Sequence, residues 1–183
     1  MTTPLDAEAV LLTDGSKVTI RAISADDGPM LQAFVRRLST RSRRSRFFST
    51  LVELSTVQLR RLVNVDRRRA LALVAIAERP GGSAIVAEAR CIPDDTAWNA
   101  EFAIAVADEF QRQGLGTKLM QRLVAFASRT GMQRLYGEIL GDNDGMLAFV
   151  RRLGFRVRAN AADKQTMIAS VLRPKLRSAS VQP

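Results

Sequence analysis

Residues 100–117 read AEFAIAVADEFQRQGLGT, and the fold turns on how this stretch is taken. The first eight residues alternate. Phe102, Ile104 and Val106 fall on one face of an extended chain, and Glu101, Ala103, Ala105 and Ala107 on the other. One face is bulky and core-like. The other carries a lone carboxylate and a row of small side chains, which leaves room for a ligand along the strand. Gly114 and Gly116 then open an amphipathic stretch with Leu115, Leu119, Leu123 and Phe126 on one side.

A glycine-punctuated turn between a strand and a helix has two readings. One is a tight turn and nothing more. The other is an anion cradle, where unpaired N–H groups and the positive end of the helix dipole hold a phosphate that the glycines let approach. Named phosphate motifs do not match. Gly116-Thr117-Lys118 lacks the Gly-Lys-Ser/Thr order, and Leu119 stands where a dinucleotide fingerprint needs its third glycine. Glu101 is equally double. Desolvation in an apolar strand raises a carboxyl pKa and suits a general base, whereas a strand-end glutamate can also be merely solvated or paired with an arginine.

Outward from this stretch, residues 17–22 alternate as a strand. Ser24 and Asp27, with Pro29 in the first turn, start a helix bearing Leu31, Phe34, Val35 and Leu38. An Arg-rich segment over 39–46 follows, and Ser55 with Gln58 caps a second helix. Residues 70–77 and 84–92 flank Pro80-Gly81-Gly82 as a hairpin, and 98–107 is the next strand. After the long helix, Gly131 is its stop and 134–140 a buried-type strand. Asn143 caps a helix that ends at Gly154, and 155–158 and 166–171 are the last strands. The expected layout is α/β (α+β), with a mixed, mostly antiparallel sheet of six to seven strands and about four helices. Residues 1–14 read as an N-terminal arm, 15–171 as one domain and 172–183 as a disordered tail.

Composition narrows the chemistry. The chain has 183 residues, no histidine and one cysteine, Cys91. Histidine-dependent triads and most zinc sites are excluded, no metal site is expected, and no internal disulfide can form. Acid–base work falls to carboxylates, Lys, Tyr, Cys or water. No apolar run reaches the ~20 residues of a membrane span and no signal peptide is visible, so a cytoplasmic protein is expected. The net charge of +10 favours acidic proteins, phosphate-bearing ligands or nucleic acid. Arg36, Arg37, Arg41, Arg43, Arg44 and Arg46 form the densest cluster, which also reads as a solvated helical face.

Together these elements resemble the GNAT superfamily of acetyl-CoA-dependent N-acetyltransferases, over roughly residues 15–171. The family's Gln/Arg-x-x-Gly-x-Gly/Ala motif corresponds to Gln111, Gly114 and Gly116, and its later Asn and Gly-Phe to Asn143 and Gly154-Phe155. The resemblance implies a sheet splayed between the fourth and fifth strands (98–107 and 134–140). It implies that the backbone of Arg112, Gln113, Gly114, Leu115, Gly116 and Thr117 cradles the pyrophosphate of coenzyme A. The main chain of Ile104, Ala105 and Val106 would pair with the pantetheine arm, and Asn143 would contact that arm or hold its helix. Arg151 or Arg152 would reach the ribose phosphate or remain solvated. The reaction would be direct acetyl transfer to an amine, with Glu101 as base and Glu138 in reserve or positioning the acceptor. Many members carry a Tyr where this chain has Val150, and Tyr136 lies on another element, so no general acid is assigned.

The segments DGSKVTIRAISADDGPMLQAFVRRLS, RSRRSRFFS and AEFAIAVADEFQRQGLG are further similar to the acetyltransferase domain of bacterial Pat-type protein lysine acetyltransferases. That group acts on active-site lysines of acyl-CoA synthetases. Its members are commonly fused to a regulatory domain, and none is expected in these 183 residues. The implied partners are acetyl-CoA and an acidic-surfaced acceptor protein, the chain being monomer or dimer. A small-amine acetyltransferase is the other enzymatic reading. A non-catalytic acyl-CoA sensor fits Val150 but not Glu101. A nucleic-acid-binding module fits the charge, but aromatics are only 5% and do not alternate with basic residues.

Overall fold

The computed structural model describes residues 7–173. Its elements are β1 (Glu8–Leu11), β2 (Lys17–Ala22), α1 (Gly28–Arg37), α2 (Thr40–Phe47), α3 (Thr56–Val63), β3 (Leu71–Arg79), β4 (Gly82–Pro93) and β5 (Asn99–Val106), then α4 (Leu115–Arg129), β6 (Arg134–Leu140), α5 (Asp144–Arg152), β7 (Arg156–Ala159) and β8 (Thr166–Leu172). The strands form one eight-stranded sheet in the order β1-β2-β3-β4-β5-β6-β8-β7. Every neighbouring pair is antiparallel except β5 and β6. The mixed α/β class agrees with the sequence, but the counts of elements are higher. Among the described residues no helix is long and apolar enough to cross a membrane.

Two elements escaped the sequence pattern for physical reasons. Residues 8–11, read as part of an arm, pair with β2 from Glu8↔Ile20 to Leu11↔Lys17. The strand is four residues long with only Val10 buried, too short to show alternation. The Arg-rich segment is a helix, α2, with no buried residue and hence no apolar stripe. It is held by its ends. The Ser39 hydroxyl accepts from the Ser42 N–H at 3.2 Å, and Phe48 closes it in the left-handed region at φ 54°. At the other end of the chain, Leu172 closes β8, while residues 1–6 and 174–183, most of the expected tail, lie outside the described residues.

Two apolar clusters sandwich the sheet. Leu31, Phe34 and Val35 of α1 pack with Val63, Val74, Ile85 and Ala105 on one side. Leu115, Leu119, Met120 and Leu123 of α4 pack with Leu71, Leu73, Phe102 and Leu135 on the other. The alternation of β5 is thereby explained: its bulky face serves α4 and α5, its small face α1 to α3.

The parallel pair is short. β5 and β6 meet only at Asn99↔Arg134, Ala100↔Leu135 and Glu101↔Tyr136, after which they run on without pairing to each other, β5 still paired with β4 and β6 with β8. These are the fourth and fifth strands of the sequence reading, so the expected splay is present. Phe102 sits at the fork, its ring edge-to-face with Phe155 at 5.3 Å and lying over Gly137. A Cβ on Gly137 would come within 2.6 Å of the Phe102 ring. Gly137→Ala should therefore lower stability by about 1–3 kcal/mol through overpacking, read by chemical denaturation. In a Phe102→Leu background the penalty should shrink, since the two positions share one contact.

Candidate functional site

Past the fork lies an open cleft of about 1050 Å³. β5 forms its floor, the start of α4 one end, α5 and β6 one bank, and α2 the roof. Of the residues singled out in the sequence, Glu101, Glu138, Ile104, Ala105, Val106, Gln111, Arg112, Gly114, Gly116, Thr117 and Asn143 all line it. Gln113 and Leu115 do not. Leu115 is fully buried in the core, and the Gln113 amide turns away to donate to the Glu109 carbonyl at 2.9 Å.

The glycine turn has the shape that an anion needs. Gly114 precedes α4 in the left-handed region at φ 86°, which favours glycine. Arg112 adopts φ 61° despite its side chain, a strained conformation of the kind that gathers at binding sites. Gly116 differs: a Cβ there would make ordinary contact with Phe149 at 3.6 Å, so alanine fits. The Gln111 side chain donates to the Val106 carbonyl at 3.0 Å and so pins the turn to the end of β5. Asn143 caps α5, its Oδ1 accepting from the Met146 N–H at 3.2 Å. Arg152 of α5 reaches the cleft, and Arg151 does not. Val150 is fully buried in the core, so the position of the usual tyrosine offers the cleft nothing.

Glu101 stands at the opposite end from the glycine turn, at the last position where β5 pairs with β6. Burial pushes its carboxyl above the ordinary value, the Glu138 charge adds to this, and Arg46 opposes both. It makes no ion pair with any described residue. Glu138 on β6 is held instead. Its Oε1 accepts from Asn160 Nδ2 and Thr166 Oγ1, both at 2.6 Å.

The sequence reading missed the charge cluster under α2. Glu88 is buried on β4 between Arg90, whose Nε and Nη2 donate at 3.0 and 2.9 Å, and Arg46 of α2. Burial works against ionisation, but the charges of Arg46 and Arg90 hold Glu88 well below the usual carboxylate range. Ala105 lies opposite Glu88 and Ala103 opposite Arg90. The small side chains thus make space for the arginines as well as for a ligand along the strand. A Glu and an Arg two apart inside AIVAEARCI carried the signal, because charges buried in a strand require partners. Further contacts staple α2 over the cleft. Asp108, next to the glycine turn, accepts from the Ser39 and Ser42 hydroxyls at 3.0 and 2.8 Å, and Arg44 donates to Asp142 at 2.7 Å on the far bank.

Residues 36–155 match the model of the acetyltransferase (GNAT) family. The chain is 29% identical over 157 residues to Acetyltransferase PA5475 of Pseudomonas aeruginosa, covering 86% of this chain and 84% of that one. Among solved structures, the GNAT domain of S. lividans PAT superposes with a TM-score of 0.80 at 25% identity, covering 91% of this chain and 96% of that one. YncA, a putative acetyltransferase from Salmonella typhimurium solved with its cofactor acetyl-CoA, superposes with a TM-score of 0.66 at 17% identity, over 90% and 99% of the two chains. With the family model spanning most of the chain and the splayed sheet in place, the protein belongs to the acetyltransferase (GNAT) family.

Proposed function

We propose that the chain is an acetyl-CoA-dependent N-acetyltransferase that acetylates protein lysine with Glu101 as general base. The observation that carries this is one of placement: a single cleft joins a left-handed glycine turn at the start of α4 to an unpaired carboxylate where β5 and β6 part.

Acetyl-CoA supplies the acetyl group as a thioester. Backbone N–H groups of residues 112–117 suit its pyrophosphate. Beyond Glu101, β5 has lost β6 as a neighbour, so the main chain of Ile104, Ala105 and Val106 has an open edge for an extended amide-bearing arm. N–H groups on that edge also suit a carbonyl that gathers negative charge. Asn143 and Arg152 line the α5 bank.

A lysine amine has a pKa of ~10.4 and must lose a proton before it attacks. Glu101 takes that proton directly or through one water. Glu138 is the weaker candidate, because two donors already occupy its Oε1. We assign it to the acceptor rather than to the proton. The small-amine reading is separated by comparing labelled acetyl transfer into an acyl-CoA synthetase with transfer into a panel of small amines.

Acetyl-CoA should raise the melting temperature of the protein in proportion to the logarithm of its concentration; no shift at millimolar ligand would remove the reading. Glu101→Gln should lower kcat by about 10²–10⁴ while leaving that thermal shift intact. Activity that survives the substitution would show that Glu101 is not the base. The pH profile carries the sign of the environment. Because the Glu101 pKa is raised and the base must be ionised, the acid limb of kcat/KM should lie above the ordinary ~4.3 of glutamate. Arg46 opposes that rise, so Arg46→Gln should move the limb further up, and Arg46→Lys, which keeps the charge, should not.

A further inference from the structure

The surface beside the acceptor end of the cleft has a composition unlike a merely solvated face. α3 buries Val63, with Leu59 and Leu62 packed against the core, and so turns Val57, Arg60 and Arg61 outward. Between α2 and α3, Phe48 and Val52 are also exposed, and the fractions are high: 44% for Phe48, 63% for Val52 and 66% for Val57. Arg41, Arg60 and Arg61 lie among them and form no ion pair with any described residue. Their neighbours do: Arg36 holds Glu53 and Arg44 holds Asp142. Asp66, just past α3, accepts from the Arg68 N–H.

This surface is continuous with the site. Arg41 and Phe48 line the cleft itself. The end of α3 lies over the sheet beside Glu101, since the Leu62 carbonyl accepts from Arg90, which stands opposite Ala103. Unpaired arginines and aliphatic side chains thus stand outside, and two carboxylates, Glu101 and Glu138, mark the acceptor end within, beside Arg46. Phosphates of a nucleic acid would meet the arginines, but Phe48 is a lone exposed ring among valines, short of the successive aromatics that stack bases, and the carboxylates repel phosphates. The pattern is the complement of a lysine set among acidic and aliphatic side chains. Its ammonium suits the carboxylates, its acidic neighbours suit the arginines, and apolar contacts with exposed Arg and Phe are what interface cores favour.

We infer that the α2–α3 surface is the docking face for the acceptor protein and selects lysines that lie in an acidic, partly aliphatic setting. The inference rests on the amine-acetyltransferase reading above and adds the recognition that precedes transfer.

The test uses two lysine peptides of equal length, one with Asp, Glu and Leu around the lysine and one with Arg and Ser. Acetylation is measured at low and high salt by the full chain and by its Arg60→Glu/Arg61→Glu variant. Both arginines are exposed and unpaired among the described residues, so the variant should fold. The full chain should prefer the acidic peptide by about tenfold in kcat/KM, less at high salt. The variant should lose the preference through KM while keeping its small-amine turnover and its thermal shift with acetyl-CoA. No preference in the full chain, or one that persists in the variant, overturns the docking face. So does tight binding of a single-stranded RNA oligonucleotide that the variant loses, without any peptide preference. Turnover of neither peptides nor small amines would overturn the acetyltransferase reading itself, and the docking face with it.

Discussion

The parting of two parallel strands governs the rest of the molecule. An otherwise antiparallel sheet admits one parallel pair because α4 crosses over between β5 and β6, and that pair holds for only three positions. Where it fails, the ring of Phe102 lies over Gly137 and against Phe155. A side chain at 137 would occupy the same space, so the glycine is required by close approach and not by its dihedral angles. Where the strands part, the residues of β5 take on separate duties in order. Glu101 sits at the fork, residues 102–106 present an edge without a neighbour, and the chain then turns into the start of α4. The distance between Glu101 and the glycine turn is thus set by the length of one strand, which packing on both faces holds rigid.

Electrostatics explains why α2 stays in place. A helix of Thr, Ser and Arg whose one apolar residue, Phe47, is only partly buried against the core has little hydrophobic reason to dock. It is fixed by polar contacts to Asp108, Asp142 and Glu88, which reach both banks of the cleft and the sheet beneath. The Glu88 contact is the deepest. Breaking a buried ion pair by removing one partner typically costs 3–5 kcal/mol, because the remaining charge is left uncompensated. Two arginines on one glutamate leave the cluster net positive, on the same face of the sheet as Glu101. The sheet thus holds α2 and moderates the Glu101 carboxyl with one set of charges.

How much of this was legible in the sequence follows from the kind of force involved. Alternation in β5 and the apolar stripes of α1 and α4 are local and periodic, and they placed strands and helices well. The glycine turn and the capping residues Ser55, Gln58 and Asn143 are local too, and their hydrogen bonds form as the sequence suggested. What the sequence hid was non-local. Nothing near Arg46 names Glu88, 42 positions away, as its partner. Nothing in EAVL announces a strand until β2 lies beside it. Nothing in QRQGLGT announces that the Gln113 side-chain amide donates to the Glu109 carbonyl.

The buried Val150 bears on how the proposed reaction divides its labour. On α5 the positions that reach the cleft are 145, 146, 148, 149 and 152, while 150 points into the core. An acid on this helix would have to replace Met146, Phe149 or Arg152, and none of these side chains gives up a proton at neutral pH. The helix therefore contributes packing and charge, not proton transfer. A thiol of ordinary pKa, about 8.5, leaves as thiolate with little help. An amine of pKa ~10.4, by contrast, is almost entirely protonated at neutral pH and cannot attack until it is deprotonated. The greater barrier lies on the acceptor side, and that is where this chain leaves a carboxylate unpaired and partly desolvated. In the proposed reaction Glu101 as base therefore matters more than any acid.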